Sequence, residues 1–162
     1  PGAEFGPAKR WPHYRYAELA KQLIDEGYQV VLFGSAKDHE AGNEILAALN
    51  TEQQAWCRNL AGETQLDQAV ILIAACKAIV TNDSGLMHVA AALNRPLVAL
   101  YGPSSPDFTP PLSHKARVIR LITGYHKVRK GDAAEGYHQS LIDITPQRVL
   151  EELNALLLQE EA

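Results

Sequence analysis

Cysteine is nearly missing from this chain: only Cys57 and Cys76 occur, with no CxxC pair and no metal-ligand spacing around them. They read as two free thiols in a reducing cytosol. Other reactive signatures are missing too. There is no HExxH, no EF-hand loop and no DxD pair, so no metal and no other cofactor is expected. No GxSxG elbow presents a nucleophile, and the GxxxxGK[ST] phosphate loop is absent. No apolar run approaches the ~20 residues of a membrane-spanning helix, and no signal peptide opens the chain. Basic excess is lacking as well. The formal net charge is −4, which argues against nucleic acid as a partner. Internal repeats and low-complexity tracts are absent. An opening strand is also lacking. The chain begins Pro1-Gly2-Ala3-Glu4-Phe5-Gly6-Pro7, which is loop chemistry, where an α/β domain opens on a strand. A strand is therefore expected ahead of Pro1.

What remains is an ordinary globular composition, 46% hydrophobic and 21% charged over 162 residues, enough for one domain with a substantial core. Helical and extended patterns alternate along it. Tyr14 to Glu26 repeats apolar residues at helical spacing, and Gly27 stops it. Gln29 to Phe33 is a short apolar strand. Asp38 to Leu49 reads as a helix and Trp56 to Leu60 as a short strand. Leu66 to Ala75 reads as a helix with Thr64 as its cap. Strands follow at Ala78 to Thr81, Pro96 to Tyr101 and Val118 to Ile122, with a helix from Ser84 or Gly85 to Leu93. Thr145 and Pro146 start a final helix that runs to Leu158. Apolar strands separated by helices predict an α/β, Rossmann-like, doubly wound parallel sheet. Two long loops, Gly102 to Ala116 and Thr123 to Ile144, interrupt the alternation.

The stretch that carries most chemistry is Val80-Thr81-Asn82-Asp83-Ser84-Gly85-Leu86-Met87-His88. A strand ends and a helix begins within three residues. Parallel sheets bind ligands at the carboxyl ends of their strands. The first turn of the following helix offers unpaired N–H groups and the positive end of the helix dipole, which suits a pyrophosphate. Gly85 has no Cβ, so an anion can approach its backbone. Asp83 or Ser84 can cap the helix, and a well-capped helix explains the same residues equally well. His88 falls on the face shared by Ser84 and Gly85, where it can donate to a phosphate or sugar hydroxyl or sit as a half-buried histidine.

A second stretch, Gly6-Pro7-Ala8-Lys9-Arg10-Trp11-Pro12, lies where a first strand would deliver its loop. Lys9 there can set a cation against a departing diphosphate; an exposed basic pair before a helix is the plainer reading. A third, Phe33-Gly34-Ser35-Ala36-Lys37-Asp38-His39-Glu40, also runs from a strand end into a helix. Asp38 and Glu40 are candidates to receive ribose hydroxyls, and Asp38 is equally a cap. A basic stretch includes His114, Lys115, Arg117, Arg120, His126, Lys127, Arg129 and Lys130. It is a solvated face by default, or a site of attraction for an anionic acceptor or the inner membrane leaflet.

Three segments together resemble the lipopolysaccharide heptosyltransferases: Pro1 to Pro12, Asn82-Asp83-Ser84-Gly85-Leu86-Met87-His88-Val89-Ala90-Ala91-Ala92, and Leu100-Tyr101-Gly102-Pro103-Ser104-Ser105-Pro106. Their order and spacing fit across essentially the whole chain. The resemblance implies a GT-B glycosyltransferase, in which two Rossmann-like domains face each other across a cleft, with residues 1–162 as the C-terminal, donor-binding one. It implies ADP-L-glycero-β-D-manno-heptose as donor and the lipopolysaccharide inner core as acceptor. Transfer would invert the anomeric centre, need no obligatory metal, and take place in the cytoplasm, with peripheral contact at the inner membrane. Carried over by motif, Lys9 stabilises the leaving diphosphate. Asp83, Ser84, Gly85 and Leu86 hold the heptose and phosphates, His88 supports them, and Glu40 or its neighbours face the nucleoside. The acceptor domain and its general base are expected outside this chain. One departure is the loop from Thr123 to Ser140, where many relatives carry cysteine and this chain has none.

Two other readings share these features. One is a stand-alone nucleotide-binding module. The other is a fragment of a sugar-nucleotide 2-epimerase, whose helix opens Asp-Ser-Gly-Gly with carboxylates soon after; Leu86-Met87-His88-Val89 does not match that pattern.

Overall fold

The computed structural model describes residues 9–103, 106–107, 110–123 and 136–161. The opening Pro1 to Ala8 motif, Ser104-Ser105 and the cysteine-free loop segment Gly124 to Gly131 lie outside the described residues.

Helices and strands alternate as expected. α1 (His13–Asp25) is followed by β1 (Val30–Leu32), then a 3-10 turn (Ala36–Asp38) that leads into α2 (His39–Ala47). A short α3 (Thr51–Gln54) precedes β2 (Cys57–Asn59), and α4 (Leu66–Ala75) leads to β3 (Ile79–Asn82). Next come α5 (Gly85–Ala92), β4 (Leu97–Tyr101), β5 (Ala116–Arg120), α6 (Gln139–Ile142) and α7 (Pro146–Glu161). α7 starts as expected: Pro146 is its first residue, and the Thr145 hydroxyl accepts from the Arg148 N–H at 3.2 Å.

Three local expectations are corrected. Thr64 does not cap α4. Gln65 occupies that position, and its N–H donates to Gln68 Oε1 at 2.9 Å. The last strand ends at Arg120, before Ile122. The segment expected as a loop to Ile144 contains α6, whose first turn is closed by His138 accepting from Ser140 N–H.

Every strand pairing is parallel, but the sheet comes in two pieces. β1 pairs with β2, and β3, β4 and β5 form a separate ladder with β4 in the middle. β4 shows why its sequence is continuously apolar. All five of its residues are fully buried, because both faces of the sheet are covered. Successive side chains point to opposite faces. Val98 and Leu100 join α1, α7 and Leu32 of β1 in one core. Leu97, Ala99 and Tyr101 join α4 and α5 in the other. This is the doubly wound arrangement, with helices on both sides.

Cys57 begins β2 inside the first core, and both cysteines are free thiols. Burial pushes the Cys57 thiol from an ordinary value near 9 up to about 11. Burial raises Cys76 as well, opposed by the nearby Arg95 charge. A pKa raised in the folded state favours folding while the thiol stays protonated. The contribution is complete below the unfolded value and disappears as pH passes the folded one. Urea midpoints should therefore fall between about pH 9 and pH 11. Burial raises the Tyr16 hydroxyl in the same direction but at higher pH. Cys57→Ala should thus reduce the loss that begins near pH 9, leaving the Cys76 share and the later one from Tyr16; an unchanged profile would refute this assignment.

Candidate functional site

The two pieces of the sheet are held side by side at their carboxyl ends by residues just before α1. Arg10 reaches toward β1: its Nη2 donates to Asp38 Oδ1 at 3.1 Å. Trp11 reaches toward β3: its backbone N–H donates to Asn82 Oδ1 at 2.9 Å. Tyr16 OH donates to the same oxygen at 2.8 Å, and Trp11 Nε1 donates to Ile144 O at 2.9 Å. The Trp11 and Tyr16 rings pack edge to face, with centroids 4.8 Å apart. Asn82 is 1% exposed, so its carbonyl depends on these donors for the hydrogen bonds that water would otherwise make.

Asp38 closes the β1 side. Its Oδ2 accepts from Ser35 N–H at 2.8 Å and from Ser35 Oγ at 3.0 Å. It is buried, and it does not cap α2 with its own side chain. Both carboxylate oxygens are thus engaged within the protein, one by Ser35 and one by Arg10. Gly34 permits this close turn, since a Cβ there would stand 2.7 Å from Asp38 Cβ.

On the β3 side, Ser84 takes the N-cap position of α5 but makes no side-chain capping bond. Its Oγ lies 3.3 Å from Thr81 Oγ1 instead. The expected serine cap is therefore not made. Gly85 begins the helix in the open, with nothing within 4 Å of where a Cβ would stand. Packing does not demand glycine here, which favours the reading that a ligand approaches this backbone.

These ends open onto a cavity of about 840 Å³ running between β1 and β3. Arg10, Ser35, Lys37, Asp38, Thr81 and Ser84 give it a polar mouth, and the rest of its lining is mostly apolar, with Tyr28, Gln29 and Lys77 among it. Of the residues read from sequence, Ser84, Gly85 and Leu86 line it. Asp83 is half-buried beside them and does not line it. Lys9 is half-buried next to the lining residue Arg10. His88 is exposed one turn along α5, outside the lining, and is therefore not the half-buried histidine of the alternative reading. Glu40 is exposed in the first turn of α2, also outside it.

The sequence reading missed Arg10, Lys37 and the bracket at Asn82. Lys37 could have been found, as a cation five residues past the end of β1. Asn82 could not, because its partners Trp11 and Tyr16 lie far away in sequence. Among the described basic residues, Lys115 pairs with Glu160 at 2.9 Å and Arg117 with Glu152 at 3.5 Å. Arg120 donates to Gly102 O and Pro103 O. This part of the basic stretch is thus largely engaged within the protein.

Fold and mouth together define a Rossmann-like α/β domain with a polar mouth at the carboxyl ends of parallel strands. The chain belongs to glycosyltransferase family 9 (heptosyltransferase), whose sequence profile matches residues 1–138. It is 99% identical over all 162 residues to lipopolysaccharide heptosyltransferase 2 of Escherichia coli K12, of which it spans 47%. It is 68% identical over 158 residues to lipooligosaccharide heptosyltransferase 2 of Haemophilus influenzae, of which it spans 46%. A solved structure of E. coli ADP-heptose lps heptosyltransferase II superimposes with a TM-score of 0.92 at 93% identity, over 100% of this chain and 46% of that one. The chain therefore spans about half the length of the relatives it matches.

The Asn82 bracket gives a direct stability test. Asn82→Ala leaves Trp11 N–H and Tyr16 OH buried without their acceptor and should cost about 2–4 kcal/mol. Tyr16→Phe removes one donor and should cost about 1 kcal/mol. Equal costs for the two in chemical denaturation would show that Asn82 does not serve both partners.

Proposed function

We propose that residues 1–162 are the donor-binding domain of a glycosyltransferase that moves heptose from ADP-L-glycero-β-D-manno-heptose to the lipopolysaccharide inner core. The observation that carries this reading is the start of α5. It lacks a serine cap, opens at an unshielded glycine, and borders a polar mouth in a chain of the heptosyltransferase family. The name of one close relative also includes ADP-heptose.

In the reaction, an acceptor hydroxyl attacks the anomeric carbon of heptose. The bond from that carbon to the diphosphate oxygen breaks with inversion, and ADP leaves carrying the electron pair. Negative charge grows on the diphosphate as it departs. The positive end of α5 and the N–H groups of Gly85 and Leu86 are suited to receive it. Lys9 supplies a cation from the facing loop. Asp83 orients heptose hydroxyls, His88 supports the sugar from the exposed face of α5, and Glu40 faces the nucleoside from the start of α2. The general base and the acceptor contacts fall to a second domain in the GT-B arrangement. No helix among the described residues is long and apolar enough to cross a membrane. Action in the cytoplasm, with peripheral contact at the inner membrane, belongs to the same proposal, and His126 to Lys130 are the basic residues to examine for that contact.

Gly85→Ala should weaken ADP-heptose binding about tenfold while leaving the fold as stable or slightly more so, since alanine suits a helix better by up to ~1 kcal/mol. Unchanged affinity in calorimetry would remove Gly85 from the site. In the whole-length protein, Lys9→Ala should lower kcat by roughly 10²-fold, the scale of losing one group that stabilises developing charge. The chain alone should transfer no heptose and should bind ADP-heptose more tightly than ADP. Turnover by the chain alone would refute the first expectation, and equal affinity for the two ligands would favour a plain nucleotide-binding module.

A further inference from the structure

Arg10 and Asp38 form an ion pair at the mouth, and the acceptor in it is itself held. Asp38 Oδ2 accepts from Ser35 N–H at 2.8 Å and from Ser35 Oγ at 3.0 Å, which leaves Oδ1 to accept from Arg10 Nη2 at 3.1 Å. Both side chains are largely withdrawn from water, Arg10 at 20% and Asp38 at 9% exposure. Desolvation offsets much of the attraction within such a pair, so it adds little net stability. What it adds is direction, because a charge-assisted bond to a held acceptor restricts where the guanidinium and its backbone can lie. Trp11, the next residue, is fixed to the end of β3 by Asn82 and again by Ile144. Lys9 stands immediately before the pair and is half-buried. With Trp11 held and Arg10 released, rotation about the backbone of residue 10 would swing Lys9 around the Trp11 anchor. With both held, the path of Lys9 is set from two points.

We propose that Asp38 and Arg10 are positioning residues for heptose transfer. Asp38 holds Arg10, Arg10 holds the loop, and the loop places the Lys9 ammonium against the departing diphosphate, a placement that rests on the leaving-group role proposed for Lys9. Asp38 thereby takes a different part from that of a ribose acceptor, since both of its oxygens are engaged within the protein. A stabilising cation acts on charge that develops as the bond breaks, and its effect depends steeply on where it sits. Loss of the pair therefore falls on kcat more than on donor binding.

The test is a kinetic cycle in the whole-length protein with ADP-heptose as donor. Asp38→Asn separates positioning from simple charge, because the two differ in sign. Removing the carboxylate's charge leaves Arg10 as an uncompensated cation at the mouth. Were the pair only a local charge, Asp38→Asn would tighten donor binding and leave kcat the same or higher. Positioning gives the reverse, a kcat lower by roughly tenfold with the donor KM nearly unchanged. Arg10→Met should show a similar loss, and Arg10→Lys, which keeps a cationic donor for Asp38, should recover most of it. In a Lys9→Ala background neither Asp38→Asn nor Arg10→Met should lower kcat further, since the group they position is gone. Unchanged kcat in both variants, losses that multiply with that of Lys9→Ala, or tighter donor binding with Asp38→Asn overturns the proposal. An Arg10→Lys loss as large as that of Arg10→Met also overturns it and makes the guanidinium itself a donor contact. Full activity of Lys9→Ala is a distinct result, which removes the leaving-group role and this inference with it. Arg10 is the more exposed partner, so its two variants give the same comparison should Asp38→Asn fold poorly.

Discussion

One buried side chain sets the geometry from which the candidate site follows. Asn82 ends β3 and accepts from Trp11 N–H and Tyr16 OH through a single oxygen. It thereby fixes the segment before α1 against the strand end that leads into α5. Trp11 is held again at Ile144, so this segment is pinned from two directions. Bonds of this kind add only about 1 kcal/mol each when made, but cost more when one partner is removed and the other stays buried. That asymmetry makes Asn82 a point of specification more than a source of stability. An apolar residue of similar size would pack at the strand end, yet it would leave Trp11 N–H and Tyr16 OH without this acceptor.

The site is assembled across a division in the sheet. Arg10, Ser35 and Asp38 belong with β1, whereas Thr81 to Leu86 belong with β3. The pieces share a core through Leu32, Val98 and Leu100, but no ladder bond joins β1 to β3 among the described residues. The separation of the two halves of the mouth therefore depends on side-chain packing and on the Arg10–Trp11 bridge. Packing tolerates small shifts that a hydrogen-bonded ladder does not. A ligand spanning both halves would reinforce the bridge. The same dependence gives the Asp38 carboxylate a structural part: with both oxygens engaged within the protein, it belongs to the frame of the mouth.

Much of the fold could be read from the sequence because its strands are buried on both faces. The run from Pro96 to Tyr101 needs no tertiary information to be recognised as a central strand, and its alternation between two cores follows from the pleat. α4 and α7 were legible for similar reasons, from helical periodicity and, at Thr145-Pro146, from cap chemistry. Less legible were features that depend on partners distant in sequence. α6 is only four residues long, and Leu141 and Ser140 within it are buried against the rest of the molecule. Thr64 has the chemistry of a cap, but Gln65 and Gln68 form a reciprocal arrangement one residue later. For the site, the motif from Asn82 to His88 was legible as a strand-to-helix turn, and of its residues Ser84, Gly85 and Leu86 line the cavity. Which residues of the motif face the cavity was not, since Asp83 and His88 differ from their neighbours only in direction.

The two glycines at the mouth show how packing and binding constraints can be separated. Gly34 is required by the protein itself, because any side chain there collides with Asp38. A substitution at Gly34 disrupts the frame and reveals nothing about a ligand. Gly85 meets no such constraint: its φ is not left-handed, and the space around its missing Cβ is open. A helix would be better served by almost any other residue there. Without a Cβ, the backbone of Gly85 stays open to close approach. The open space at Gly85 lies beside the first-turn amides of α5, and Arg10 and Lys37 line the same cavity. Such a space is suited to an anion, which gains from both the amides and the cations while requiring the absence of a methyl group.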